Sequence, residues 1–120
     1  MPRPPSPDGY PTMCLALLAG GPAHGYDLVQ RLAERTGDEV RLPAGLVYAI
    51  LHGLEQDGLA EASWDEGPAA RRRRVYRVTE RGRRVLAERT AQWERHRRAV
   101  DRVLGVEPGP GPASAAPGGL

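Results

Sequence analysis

The sequence predicts a small, mainly α fold with one β-hairpin, closed by a long helix at its C-terminal end. Three observations carry that expectation. Three short segments in the first half place apolar residues at helical spacing. Between Leu59 and Val78, two strand-like stretches flank a Gly-Pro turn. From Glu80 onward, apolar residues recur seven apart at Leu86, Trp93 and Val100.

The ends of the 120-residue chain read differently from its middle. Residues 1–10 start with MPRPPSPD, and residues 105–120 read GVEPGPGPASAAPGGL. Neither segment holds enough apolar surface to offset its ordering entropy, so both are expected to be disordered. The folded part then runs from Pro11 to Leu104, roughly 90 residues, close to the lower limit for a self-sufficient core. We divide it at residue 79, with a compact domain over 11–79 and a helix over 80–104.

Within the domain, Thr12–Ala19 is apolar almost all round and reads as a short buried helix, stopped by Gly20-Gly21-Pro22. His24–Thr36 follows, with Tyr26, Leu28, Val29, Leu32 and Ala33 on one stripe and Gly37 as the stop. Pro43 suits the first position of a third helix. Leu46, Val47, Ile50, Leu51 and Leu54 form its apolar stripe. The other side carries Ala44, Gly45, Tyr48, Ala49, His52 and Gln56, small at first and polar further on. Such a face can approach a partner closely and hydrogen-bond to it. Leu59–Asp65 reads as a strand with Ala60, Ala62 and Trp64 on one side. Glu66–Ala70 is the turn, and the arginine-rich strand returns from it with Tyr76 and Val78 facing inward beside Trp64. Thr79 caps the last helix.

Charge is distributed unevenly. The net charge is only +2, and every one of the 17 basic residues is arginine. Between Arg71 and Arg102 stand 13 arginines against four acids (Glu80, Glu88, Glu94 and Asp101), whereas the part before Arg71 is acidic. A one-sided basic surface points to phosphate backbones. The single cysteine, Cys14, excludes an intrachain disulfide and reads as a buried thiol. Its apolar run is too short to span a membrane and lacks the layout of a signal peptide, so a cytoplasmic protein without membrane association is expected. No nucleophile–base pair, phosphate-cradling glycine loop or facing carboxylate pair is visible, which argues against an enzyme. The three histidines stand on separate elements without partners at ligand spacing, so neither a metal nor another cofactor is expected.

Three helices followed by a hairpin is the winged helix-turn-helix layout, in which the third helix enters the major groove and the hairpin, or wing, lies by the backbone. The stripe of the last helix, with Thr90, Arg97 and Leu104 beside Leu86, Trp93 and Val100, and Val103 on its other flank, reads as a dimerisation element.

Four segments resemble the PadR family of bacterial transcriptional regulators: Leu17-Leu18 leading into GPAHGYDL, then GLVYAILHGLEQDGL, then Trp64 with RRVYRVTERG, and finally the Trp-bearing helix. The length is similar to that of the short subfamily with a single C-terminal helix. The third helix departs from the family's Ser-x-Gly-Thr-Leu-Tyr-Pro pattern, reading Pro43-Ala44-Gly45-Leu46-Val47-Tyr48-Ala49, and Gly53 stands where an arginine is frequent. The resemblance implies a homodimeric repressor that reads an inverted repeat in double-stranded DNA. Tyr48 matches the family tyrosine and is expected to touch DNA with His52. Arg41, Arg71, Arg72, Arg73 and Arg74 are expected on phosphates, and Tyr26 beside a helix N-terminus. Resemblance to the multidrug-sensing branch adds an effector expectation: Trp93, with Arg89 and His96, would stack a planar aromatic molecule at the dimer interface and release the DNA. The altered third helix keeps one alternative open, a winged-helix dimer acting as a protein–protein adaptor without sequence-specific DNA binding.

Overall fold

The computed structural model describes residues 9–65 and 73–106. The expected turn at Glu66–Ala70, together with Arg71 and Arg72, lies outside the described residues, as do most of both tails. The chain divides into two compact units, Met1–Glu88 and Arg89–Leu120.

In the first unit, helix α1 spans Gly9–Ala19 and buries Cys14, Leu15, Leu17 and Leu18. It starts ahead of the expected Thr12 because Pro11 falls in its first turn, where the missing N–H has no intrahelical acceptor to lose. Burial pushes the Cys14 thiol up to about 11, so it behaves as a small apolar side chain.

A two-residue strand, β1 (Ala23–His24), precedes helix α2 (Gly25–Arg35). His24, expected inside the helix, is instead extended and caps it. Leu28 and Leu32, four residues apart, carry α2 into the core. At the other end, the Thr36 hydroxyl donates to the Leu32 carbonyl (2.8 Å) and accepts from the Val40 N–H (3.0 Å).

Helix α3 (Ala44–Gln56) starts after Pro43 and buries Val47, Leu51 and Leu54. Leu46 does not join that stripe. A helical residue one position before Val47 is rotated about 100° from it, and Leu46 is left 40% exposed. Leu15, Leu18, Leu28, Val47 and Leu51 form the centre of the core, closed by Leu42, Leu59 and Tyr76. Gly53 lies on α3 with nothing within 4 Å of where a Cβ would sit. Gly53→Ala is therefore expected to stabilise the fold by about 0.5–1 kcal/mol, because it gains helix propensity without a clash. Denaturant titration checks this.

Strands β2 (Ala60–Asp65) and β3 (Arg73–Val78) form the expected hairpin, and β1 adds to it in the order β1-β3-β2. Both pairings are antiparallel, with Ala23 opposite Tyr76 and Tyr76 opposite Ala62. Helix α4 (Glu80–Leu104) follows. Thr79 makes the junction: its N–H donates to the Leu59 carbonyl (3.0 Å), and its hydroxyl donates to the Gly58 carbonyl (2.7 Å) and accepts from the Gly82 N–H (2.9 Å). This is the N-cap read from the sequence. Gly82 is buried there, and Val85 and Leu86 pack at the edge of the core. Leu86, expected as a dimer contact, is therefore engaged by its own chain.

The second unit starts within α4, at Arg89. Along its helical residues, Arg97 pairs with Glu94 (2.9 Å) and Asp101 (3.5 Å). Trp93, Val100, Val103 and Leu104 are all exposed. An amphipathic helix that leaves its apolar residues in water is not stabilised by its own packing.

Candidate nucleic-acid interface

Alternation gives the three-stranded sheet two unlike faces. Cross-strand partners share a face, so Ala23, Tyr76 and Ala62 lie together on the inner one, joined by Ala60 and Val78. His24, Val75 and Ser63 lie on the outer one, with Asp65, Arg73, Glu61 and Arg77. Trp64 and Arg74 are partners on the inner face. They stand beyond the reach of the core, and Trp64, expected to pack inward with Tyr76, is 51% exposed.

Arg74 lies beside Trp64 and Tyr76 on this face. Its guanidinium lies 5.7 Å from the centroids of both the Trp64 and the Tyr76 rings. One guanidinium nitrogen donates to the Glu55 carboxylate of α3 at 3.1 Å. Arg74 thus ties the wing to α3. Burial raises the Tyr76 phenol, an effect that Arg74 partly opposes. Arg73, one residue earlier, is exposed on the outer face.

Helix α3 presents Gly45, Ala49, His52 and Gln56 to solvent, with Tyr48 on one flank. The Tyr48 ring rests on Gly25, where an added Cβ would run into three of its ring carbons. Gly25 therefore lets α2 and α3 approach through a tyrosine ring. Tyr26, next along α2, is exposed. Arg41 is exposed and pairs with Asp38 at 3.0 Å. A pair of this kind, open to water on both sides, is weak and can be exchanged for a phosphate.

His24, read from the sequence only as the start of the second helix, is engaged at both ring nitrogens. Its Nδ1 lies 3.0 Å from Asp27 Oδ2, and its Nε2 lies 3.3 Å from Asp65 Oδ2. Its backbone N–H also donates to Asp27 Oδ2 (3.1 Å). The hydrogen bond from His24, with the charges of His24 and Arg31 adding to it, holds the Asp27 carboxyl below the usual carboxylate range. An acid three residues after a cap is a readable signal; the Asp65 contact, across the sheet, is not.

In the second unit, the Trp93 and His96 rings lie 5.9 Å apart, tilted by 47°. Among the described residues, no group of three or more histidines, cysteines or carboxylates is arranged to hold a metal ion, and no helix is long and apolar enough to cross a membrane.

Residues 14–88 match the family described as the transcriptional regulator PadR-like family. The chain belongs to that family. The match covers the PadR-like fold from α1 into the first turns of α4. The chain is 34% identical to a PadR family transcriptional regulator of Eggerthella lenta, covering 82% of this chain and 83% of that one, with a TM-score of 0.72. It also resembles Bacillus subtilis PadR, solved in complex with operator DNA: 21% identity, TM-score 0.62, with 67% of this chain and 45% of that one covered. A Lysinibacillus sphaericus protein of undescribed role is 24% identical over 90 residues, 75% of this chain and 83% of that one. The wing and the third helix of this PadR-like chain are therefore β2–β3 and α3. Sequence reasoning missed β1, the Glu55–Arg74 tie and the reach of His24 to Asp65. Each depends on residues far apart in sequence, which no local periodicity reports.

Proposed function

We propose that this PadR-like regulator is a homodimeric repressor. In this reading, two copies of α3 and of the wing bind an inverted repeat in double-stranded DNA, with half-sites about one helical turn apart. The observation that carries the reading is the exposed side of α3. Gly45 and Ala49 keep it low, His52 and Gln56 give it hydrogen-bonding groups, and the opposite side is locked into the core. Bacillus subtilis PadR, with the same fold, was solved with operator DNA, and this supports the assignment. Tyr48, His52, Tyr26, Arg41 and Arg73 are the described residues proposed to touch DNA. Arg71 and Arg72, outside the described residues, are proposed as phosphate contacts from the sequence alone. Arg74, held by Glu55, serves the wing's placement.

Trp93, Val100, Val103 and Leu104, exposed on one helix, are proposed to be covered by a second copy, with Thr90 and Arg97 beside them. A planar aromatic effector held by Trp93, with His96 and Arg89, releases the DNA only if it binds the free dimer more tightly than the DNA-bound one. The setting is inside a cell, where DNA is available.

Gel-shift titration on the DNA upstream of the protein's own gene, against a shuffled fragment of equal length, tests this. The expected result is a shift at nanomolar protein that favours the native fragment and weakens steeply as salt rises. No shift on either fragment at low salt would sink the reading and favour an adaptor dimer. Equal shifts on both would leave a basic wing without a reading helix.

A further inference from the structure

The wing has an anchor on its outer face that the DNA-contact residues do not explain. His24 stands in β1 opposite Val75 of β3, and Val75 stands opposite Ser63 of β2. Asp65 lies two residues beyond Ser63, opposite Arg73. To meet Asp65, the His24 ring reaches across the central strand to the far strand of the sheet, closing at 3.3 Å. Its other ring nitrogen is held at 3.0 Å by Asp27, on the first turn of α2.

The arrangement is more than a surface contact. The His24 side chain is only 21% exposed, and its two partners come from two other elements, α2 and β2. Both ring nitrogens face carboxylate oxygens, one from each partner. Asp27 fixes the orientation of the ring twice, through Nδ1 and through the backbone N–H. β1 is two residues long, and so short a strand contributes little lateral stiffness through its own ladder. The side-chain tie supplies what the ladder lacks, at the end of the hairpin that carries Arg73.

We propose that His24 is a positioning residue for the wing: oriented by Asp27, it holds Asp65 and so sets where the β2–β3 end presents Arg73. This rests on the DNA-binding reading, because the position of Arg73 matters only if a phosphate waits for it. Phosphate contacts fix a protein's register on the duplex, and a support loose by about 1 Å is enough to lose such a contact.

The test uses the full chain and two readouts. Hydrogen exchange of the β2 and β3 amides reads the tie without DNA; gel-shift titration on the upstream fragment reads its use. His24→Ala and Asp65→Asn are expected to speed exchange in both strands and to weaken DNA binding roughly three- to tenfold, the worth of one or two hydrogen bonds. His24→Gln, whose amide N–H reaches about as far as Nε2, is expected to recover most of both. Arg73→Ala is expected to cost less affinity in a His24→Ala background than in the wild type, since the arginine is then already misplaced. Asp65 is exposed, so Asp65→Asn should keep the wild-type melting temperature, separating loss of position from loss of fold. Wild-type exchange in His24→Ala and Asp65→Asn, or an Arg73→Ala cost unchanged between backgrounds, would overturn the proposal. If wild-type protein shifts no DNA while exchange still responds to both variants, the DNA-binding reading falls and the tie stands.

Discussion

Gly82→Ala is expected to lower the melting temperature by roughly 10–25 °C, equivalent to about 2–4 kcal/mol in a domain of this size. Helix propensity alone predicts the opposite sign, since alanine exceeds glycine by about 1 kcal/mol inside a helix. Packing decides the outcome. A Cβ at Gly82 would collide with the Leu59 carbonyl oxygen and come within 2.8 Å of a Val78 methyl. That carbonyl cannot swing aside cheaply, because it accepts the Thr79 N–H at 3.0 Å, and the neighbouring Leu59 N–H is committed to the Leu54 carbonyl at 2.9 Å. Relief requires α4 to move away from the turn between α3 and β2, which breaks the Thr79 bonds to Gly58 and Leu59. Thermal unfolding by circular dichroism measures the effect, with Gly53→Ala as the control in which the same substitution meets open space. A Gly82→Ala protein as stable as the wild type would mean that α4 does not seat on this carbonyl.

The same junction shows how far the sequence could be read. Thr79 as a cap was legible because capping chemistry is local and carried by one hydroxyl. The glycine three residues later was not, because what forbids a side chain there is a backbone oxygen more than 20 residues earlier. Helices α2, α3 and α4 and the hairpin were legible because each repeats a period of 3.6 or 2 over several residues, and α1 because an apolar run stopped by Gly20-Gly21-Pro22 reads as a short buried helix. β1 was not: two residues carry no period, and Ala23–His24 is a strand only because Tyr76 and Val75 lie beside it. Leu46 and Trp64 misled for one reason. Hydrophobicity says that a side chain prefers burial, but the extent of the core decides which of two flanking residues receives it. In the candidate interface, residue types were legible as a set of arginines and tyrosines facing a basic edge. Their individual roles were not. Arg73 and Arg74 look alike in sequence, and only the position of Glu55 and the alternation of β3 separate an exposed arginine from one held between two rings.

Tyr48→Ala is expected to weaken binding to the native DNA fragment by roughly tenfold to a hundredfold, the loss of one well-placed contact worth about 1–3 kcal/mol. Its effect on stability should be small, because nearly half of the side chain is in water. The sharper expectation concerns Gly25→Ala. The new methyl would occupy the space of the Tyr48 ring, and a ring on a free rotamer gives way more cheaply than backbone does. The tyrosine should swing off its seat, so Gly25→Ala should lose much of the affinity that Tyr48→Ala loses while the melting temperature drops little. In a Tyr48→Ala background the space is empty. There Gly25→Ala should cost no further affinity and should raise stability by a few tenths of a kcal/mol through the entropy of the unfolded chain. The two positions are then coupled, and the double-mutant cycle gives the coupling directly. Additive losses in the cycle would mean that Gly25 serves helix packing alone and that Tyr48 does not depend on it. Coupling would make the glycine and the tyrosine one device: a missing side chain on α2 that leaves a seat for a ring on α3, aimed at the groove that α3 is proposed to enter.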